Sequence, residues 1–454
     1  MSTNKTSDMT VGSPVKLIIR FMVPMCLGNI FQQFYNIADS IVAGQFIGVD
    51  ALAAIGSTGS LMFFVTGWLN GLSSGFAILV SQWFGAKQYD RMRHYVAMSV
   101  LLSVAFAAVM TVAFSAANVP ILRMMNYSDS IMPDVRGYMG IIYAGLIVTA
   151  AYNSLAAFLR ALGDSKSPLY FLIISAAINV VLDIVFIVNF GMGVEGCAYA
   201  TVIAQGISAL MCFLYIAKKY SILHLKKEDF KISLQSLGRL LAPGIPMGLQ
   251  FSITAIGTII VQGAVNVYGE VYMAGFSAAG KLQNIINTVF VAFGATIATY
   301  VGQNRGAGKN DRVKTGVRYT QIMILVWSVI TMAVVYFGGR YMTWLFVSPS
   351  ETEVADVAVM YFRAVFWCYP FLGSIFLYRN ALQGMGYGLV PMLGGVFELA
   401  ARTVIVMLVA GRTSFTGVCL ADPAAWIAAL IPLIPYYIYV MRKWGRRQKD
   451  QALH

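Results

Sequence analysis

The chain has 454 residues, of which 58% are hydrophobic and only 11% charged, and its formal net charge is +13. With a mean hydropathy of +0.71 it is far more apolar than soluble domains, which carry about a quarter charged residues, so its solvent is a bilayer. The basic residues are spread over short connections with no recognition motif between them. That argues against a nucleic-acid partner and for attraction to an anionic membrane face, at about 1 kcal/mol per basic residue near the surface.

The first dozen residues are polar and lead into an apolar window too long for a signal-peptide core, so the first helix is expected to be retained. Windows able to cross ~30 Å of hydrocarbon begin near Leu17, Ile55, Tyr95, Arg136, Leu169 and Gly196. Six more begin near Leu240, Ala274, Arg318, Asp356, Pro391 and Val418. They are too long for strands and lack period-two alternation. The expected class is an all-α integral membrane protein of twelve transmembrane helices. Residues 1–220 form an amino-terminal lobe of helices 1 to 6, 221–239 a cytoplasmic linker between lobes, and 240–454 a lobe of helices 7 to 12 with a basic tail.

Most of the 32 Lys and Arg residues fall at the amino terminus, after even-numbered helices and in the tail. Arg123, Arg136, Arg340 and Arg412 lie on the opposite side, and Lys281, Arg363 and Arg402 fall within predicted helices. The positive-inside rule then places both termini in the cytoplasm.

Helix 1 carries Pro24, which either kinks the helix or starts it, and the second half has Pro246 in the matching place. Asn29, Gln32, Gln33, Asn36, Asp39 and Ser40 fall on one stripe of helix 1, flanked by Phe31, Phe34 and Tyr35 as candidates for a cavity lining. Helix 5 repeats the device with Ser175, Asn179 and Asp183 at i, i+4 steps, and helix 6 offers Thr201, Gln205 and Ser208. Asp39, Asp183 and Glu398 are the acidic residues expected within spans. Each costs about 2.5 to 3.5 kcal/mol at a helix centre, which makes it a functional candidate. If the stripes converge, Asp39 and Asp183 share a pocket with oxygens of Asn179 and Thr201, suited to Na⁺ or a proton. The alternative for the amides and hydroxyls is interhelical hydrogen bonding, worth about 0.6 kcal/mol each. On helix 11, Glu398 and Arg402 stand at i, i+4 in the favourable order and can neutralise each other, or serve substrate sensing or gating.

Cys26, Cys197, Cys212, Cys368 and Cys419 show no C-x-x-C spacing, and the three His are at 94, 224 and 454. Neither set supports a metal centre or catalytic triad. Gly306 to Asn310 reads GAGKN, but Gln303 and Asn310 stand where a P-loop needs Gly and Ser or Thr. With no nucleotide motif, and no cofactor expected, an ion gradient becomes the driver.

The chain reads through twice. Val80, Gln82, Gly85, Ala86, Asp90 and Arg91 recur as Val301, Gln303, Gly306, Ala307, Asp311 and Arg312, each shifted by 221 positions. Leu159 to Pro168 (LRALGDSKSP) pairs with Leu382 to Pro391 (LQGMGYGLVP). An even number of spans per half gives parallel repeats, two six-helix bundles related by a pseudo-twofold axis along the membrane normal.

Together with YNIADSIVAGQFIG (Tyr35 to Gly48) and INVVLDIVFI (Ile178 to Ile187), these motifs resemble the multidrug and toxic-compound extrusion transporters along essentially the whole chain. The arrangement looks like the DinF-type branch. The resemblance implies a cation site at Asp39, Asn179, Asp183 and Thr201, Tyr138 as a neighbour of that site, and Pro24 as a bending point. It also implies a non-enzymatic antiporter of the inner membrane, a monomer, that exports organic, often cationic or amphipathic compounds in exchange for H⁺ or Na⁺ by alternating access. The other readings are a flippase for lipid-linked saccharides, which would need a basic cavity, and a membrane receptor or scaffold without transport.

Overall fold

The computed structural model describes the chain apart from residues 1–7, 49–53, 126, 128–130, 410–414 and 453–454, and gives the backbone alone for 35–41, 43 and 447–452. The first half contains α1 (Pro14–Phe46), α2 (Gly59–Gly85), α3 (Tyr89–Met124), α4 (Met132–Ala144), α5 (Leu146–Ala161), α6 (Lys166–Ile184) and α7 (Gly193–Lys219). The second contains α8 (Leu234–Asn266), α9 (Glu270–Gly306), α10 (Asn310–Thr343), α11 (Thr352–Val365), α12 (Tyr369–Gly384), α13 (Leu389–Val409), α14 (Phe415–Cys419) and α15 (Ala421–Ala452). Among the described residues, 11 helices are long and apolar enough to cross a membrane, and a bent pair makes the number up to 12. That pair is α4 and α5, which meet at 49°. Gly145 sits at the break, where a Cβ would lie 2.5 Å from Cγ2 of Val202 on α7. The bend therefore accommodates a packed side chain.

The sequence repeat is also a repeat of helix ends. α2 stops at Gly85 and α9 at Gly306, with the N–H groups of Ala86 and Ala307 returning to the carbonyls of Gln82 and Gln303. The next turn is left-handed at Lys87 (φ 57°) and at Gly308 (φ 71°), and Asp90 and Asp311 enter the first turns that follow. A left-handed residue ends a helix and an acid complements the positive end of the next. Gly163 and Gly386 likewise turn at φ 84° and 85°.

The chain divides into two compact units. The first comprises Met1–Met9 and Val23–Phe251, the second Thr10–Met22 and Ser252–His454. In the first, α2 crosses the amino-terminal part of α8 through glycines on both helices. A Cβ on Gly71 would lie 2.6 Å from the Met247 carbonyl oxygen, and one on Gly75 would lie 2.5 Å from Cα of Gly244. Gly244 and Gly248 in turn receive Phe76 and Trp68. Small residues four apart on both partners allow backbone contact, the means by which helices associate in lipid. In the second unit, Lys309 Nζ and Arg312 Nη1 donate to the carbonyls of Thr10 and Gly12 at 2.9 Å, holding the segment before α1.

Candidate functional site

The polar stripe of α6 is buried along its length. Ser175 is 7% exposed, and Asn179 and Asp183 are at 0%. Ser175 Oγ donates to the Ala204 carbonyl of α7 at 2.7 Å. Because α6 and α7 are consecutive, antiparallel helices, the turn of Asn179 then faces that of Thr201, which is 5% exposed, and the turn of Asp183 faces that of Cys197. Asn179, Asp183 and Thr201 are each engaged by a partner. A carboxylate, an amide and a hydroxyl at this depth are hard oxygen donors of the kind that hold a proton or an alkali cation.

Directly after Asp183 the helix changes form. Val185–Asn189 is a π-helical turn closed by the Phe190 N–H on the Val185 carbonyl at 3.2 Å. Such wide turns are rare and concentrate at functional sites. No residue type in this segment announced it.

Tyr138 on α4 is 6% exposed and belongs to a buried cluster with Val194, Cys197 and Ala198 of α7, Ile187 of the π turn and Val42 of α1. The stretch of α1 just beyond residue 39 thus enters the same cluster as the ends of α6 and α7. The side chains of Tyr35, Asn36 and Asp39 lie outside the described residues. Gln33 is half-buried, while Phe31 and Phe34 are 41% and 63% exposed. Gln205 Oε1 accepts from Thr149 Oγ1 at 2.5 Å and so joins α5 to α7. Pro24 lies well inside α1, which excludes the helix-start alternative. It deprives the Arg20 carbonyl of its N–H partner and leaves a weak point there. Pro246 is equally internal to α8.

In the second unit Glu398 and Arg402 do form an ion pair at i, i+4, but as one link of a larger network. They stand 3.7 Å apart, but Arg379 Nη2 reaches Glu398 Oε2 at 2.7 Å and Arg402 Nε reaches Asp422 Oδ1 at 3.1 Å. Tyr361 donates to the other oxygen of Asp422 at 2.9 Å. Gly257 on α8 leaves room for the guanidinium, since a Cβ there would lie 2.9 Å from Arg402 Nη1. The network joins four helices, α11, α12, α13 and α15. Sequence reasoning missed Arg379 by ending a span before it, and passed over Asp422 although the window from Val418 contains it. The apolar run from Tyr369 to Gly384 around Arg379 was the available signal.

The MatE family model matches residues 24–185 and again 246–414, the same two halves that repeat in sequence and helix ends. The chain is 29% identical over 390 residues to the probable multidrug resistance protein YpnP of Bacillus subtilis, covering 84% of this chain and 85% of that one. It is 27% identical over 451 residues to YoeA of the same organism, also described as a probable multidrug resistance protein, covering 97% and 96%. Its fold is similar to a solved outward-facing multidrug resistance MATE family transporter of the MOP superfamily, with a TM-score of 0.91, 20% identity, and coverage of 98% and 99%. Two copies of the family pattern on one all-helical membrane chain leave a single assignment: the protein belongs to the MatE family of multidrug and toxic-compound extrusion transporters.

Proposed function

We propose that the chain is a secondary antiporter that exports organic, often cationic or amphipathic compounds in exchange for H⁺ or Na⁺, with the coupling ion held in the first unit as in the DinF-type branch. The observation that carries this reading is the burial of Asp183 and Asn179 one turn apart on α6, opposite Thr201 and next to a π turn. A membrane-buried carboxylate costs several kcal/mol and is retained where it does work. The names of YpnP and YoeA as probable multidrug resistance proteins support an exporter. The ion must bind one conformation more tightly than the other, since equal affinity shifts no equilibrium. Asp39, on the α1 stretch leading to Val42, completes the site, and Pro24 supplies the bend that opens and closes it. The protein works as a monomer in the inner membrane with both termini in the cytoplasm.

Arg379 and Arg402 are held in ion pairs with Glu398 and Asp422, which weighs against their use as a basic grip on pyrophosphate and so against lipid-linked saccharide flipping.

Reconstituted protein should move a fluorescent organic cation under an imposed pH or Na⁺ gradient, and Asp183→Asn and Asp39→Asn should each abolish gradient-driven movement while leaving the thermal transition in place. Full coupled export by both variants would overturn the first-unit site.

A further inference from the structure

Three helices of the first unit bring polar groups to one turn of α4, two of them charged and unpaired. From α7, the Glu195 side chain lies across Gly137, where a Cβ would stand 2.3 Å from its Oε1. From α3, Asn118 Nδ2 donates to the Arg136 carbonyl at 3.1 Å. Asn118 is 7% exposed, and among the described residues its Oδ1 has no hydrogen-bond partner. Arg136 and Glu195, both exposed, form no ion pair with each other or with any other described residue.

These groups line a groove of about 820 Å³ on the face of α4 turned away from the core residues Val135, Tyr138, Met139 and Ile142. Its polarity is graded. Arg136 and Glu195 lie near the N-terminal ends of α4 and α7. At 1.5 Å per residue, Ala144 lies ~12 Å farther along α4. Toward that inner part the lining is Ser115 and Ala116 of α3 and Ile141 and Ala144 of α4, and Tyr199 stands at the side. The charged end therefore sits at headgroup depth and the apolar end at acyl depth.

We infer that this groove is a binding site for a zwitterionic aminophospholipid, with the ammonium held by Glu195, the phosphate by Arg136, and the glycerol and acyl portion along Ile141 and Ala144. A neutral pair of opposite charges, left apart, matches a headgroup that carries both. The exposed carboxylate of Glu195 accepts charge-assisted hydrogen bonds, and an ammonium supplies N–H groups for them where a trimethylated choline has none. The apolar extension favours a lipid over a soluble zwitterion. The assignment does not depend on which compound the chain exports.

The test is native mass spectrometry of the full-length protein released from detergent with equal amounts of phosphatidylethanolamine, phosphatidylcholine and phosphatidylglycerol. Charge-assisted N–H···O bonds set the expected preference for ethanolamine over choline at about tenfold or more. Glu195→Gln should reduce ethanolamine-lipid retention to the choline level, Glu195→Asp should keep the preference, and Ala144→Trp should exclude both lipids from the groove. Equal retention of ethanolamine and choline lipids by the wild type would overturn the proposal, whatever the variants do. So would an unchanged preference in a folded Glu195→Gln protein. Displacement by millimolar free phosphoethanolamine would assign the groove to a soluble zwitterion and overturn the lipid assignment.

Discussion

Arg402 donates through Nε to Asp422 at 3.1 Å, although Glu398 is its neighbour one helical turn away and stands farther off at 3.7 Å. The carboxylate of Glu398 is instead held at 2.7 Å by Arg379. A same-helix pair has been drawn out into a chain of alternating charge across α12, α13 and α15, with Tyr361 at its end. Burial makes such a chain all-or-none, because each charge is tolerable only while its partner is present.

Replacing Glu398 with Gln should accordingly destabilise the protein, by about 3–5 kcal/mol, the usual cost of stranding a buried charge. Arg379 would keep its charge at 5% exposure without its carboxylate. The double variant Arg379→Met, Glu398→Leu should lose less than Glu398→Gln alone. Thermal unfolding in detergent reads both, and equal losses would show that the pair is not a unit.

Gly75→Ala should cost on the order of 1–3 kcal/mol, because the added methyl meets the Gly244 backbone at 2.5 Å and no side chain can rotate away. Gly263→Ala on α8 is the control. Nothing lies within 4 Å of its Cβ position, and alanine is the better helix former by roughly 1 kcal/mol. The first variant should melt earlier than wild type and the second no earlier.

Ser175→Ala removes one hydrogen bond between α6 and α7. Interhelical bonds of this kind average about 0.6 kcal/mol, so the variant should fold and retain coupled export. Loss of coupling in a stable Ser175→Ala protein would move the hydroxyl from packing into the ion site.

At the end of the first unit where α5 meets α6, Asp164 accepts from the N–H groups of Lys166 and Ser167, from Ser167 Oγ and, at 2.7 Å, from Tyr220. Burial, and then the charge of Asp164, push the Tyr220 hydroxyl well above its ordinary value. An acid whose folded value is raised supports the fold fully below its unfolded value, near 10 for tyrosine, and that support falls as pH rises toward the folded value. Tyr220→Phe should therefore cost about 1.5–3 kcal/mol at neutral pH, and the gap from wild type should narrow above about pH 10. Melting curves between pH 7 and pH 11 measure it.

Much was legible before any coordinates. Apolar windows mark spans because each must cover the hydrocarbon alone. The duplicated Gly and Asp residues mark helix ends because a left-handed turn and a first-turn acid are local requirements, and Lys87 and Gly308 fall where the repeat puts them. The stripe Ser175, Asn179 and Asp183 was readable because helical spacing is a property of one chain segment, and its burial follows from the cost of polar groups in lipid.

What tertiary structure alone decided is which faces meet. Helical spacing placed Arg402 beside Glu398 but could not name Arg379 or Asp422, which arrive from other helices. Gly71 and Gly75 showed no sequence signal of Gly244, more than 160 positions away, nor did Gly137 show that it makes room for Glu195. The π turn after Asp183 and the 49° bend at Gly145 are likewise answers to neighbours rather than to local preference. Sequence determines what each helix must bury, since that cost is paid segment by segment. Packing between distant segments determines against what, because close approach, charge pairing and the grooves left between helices exist only once the helices are assembled.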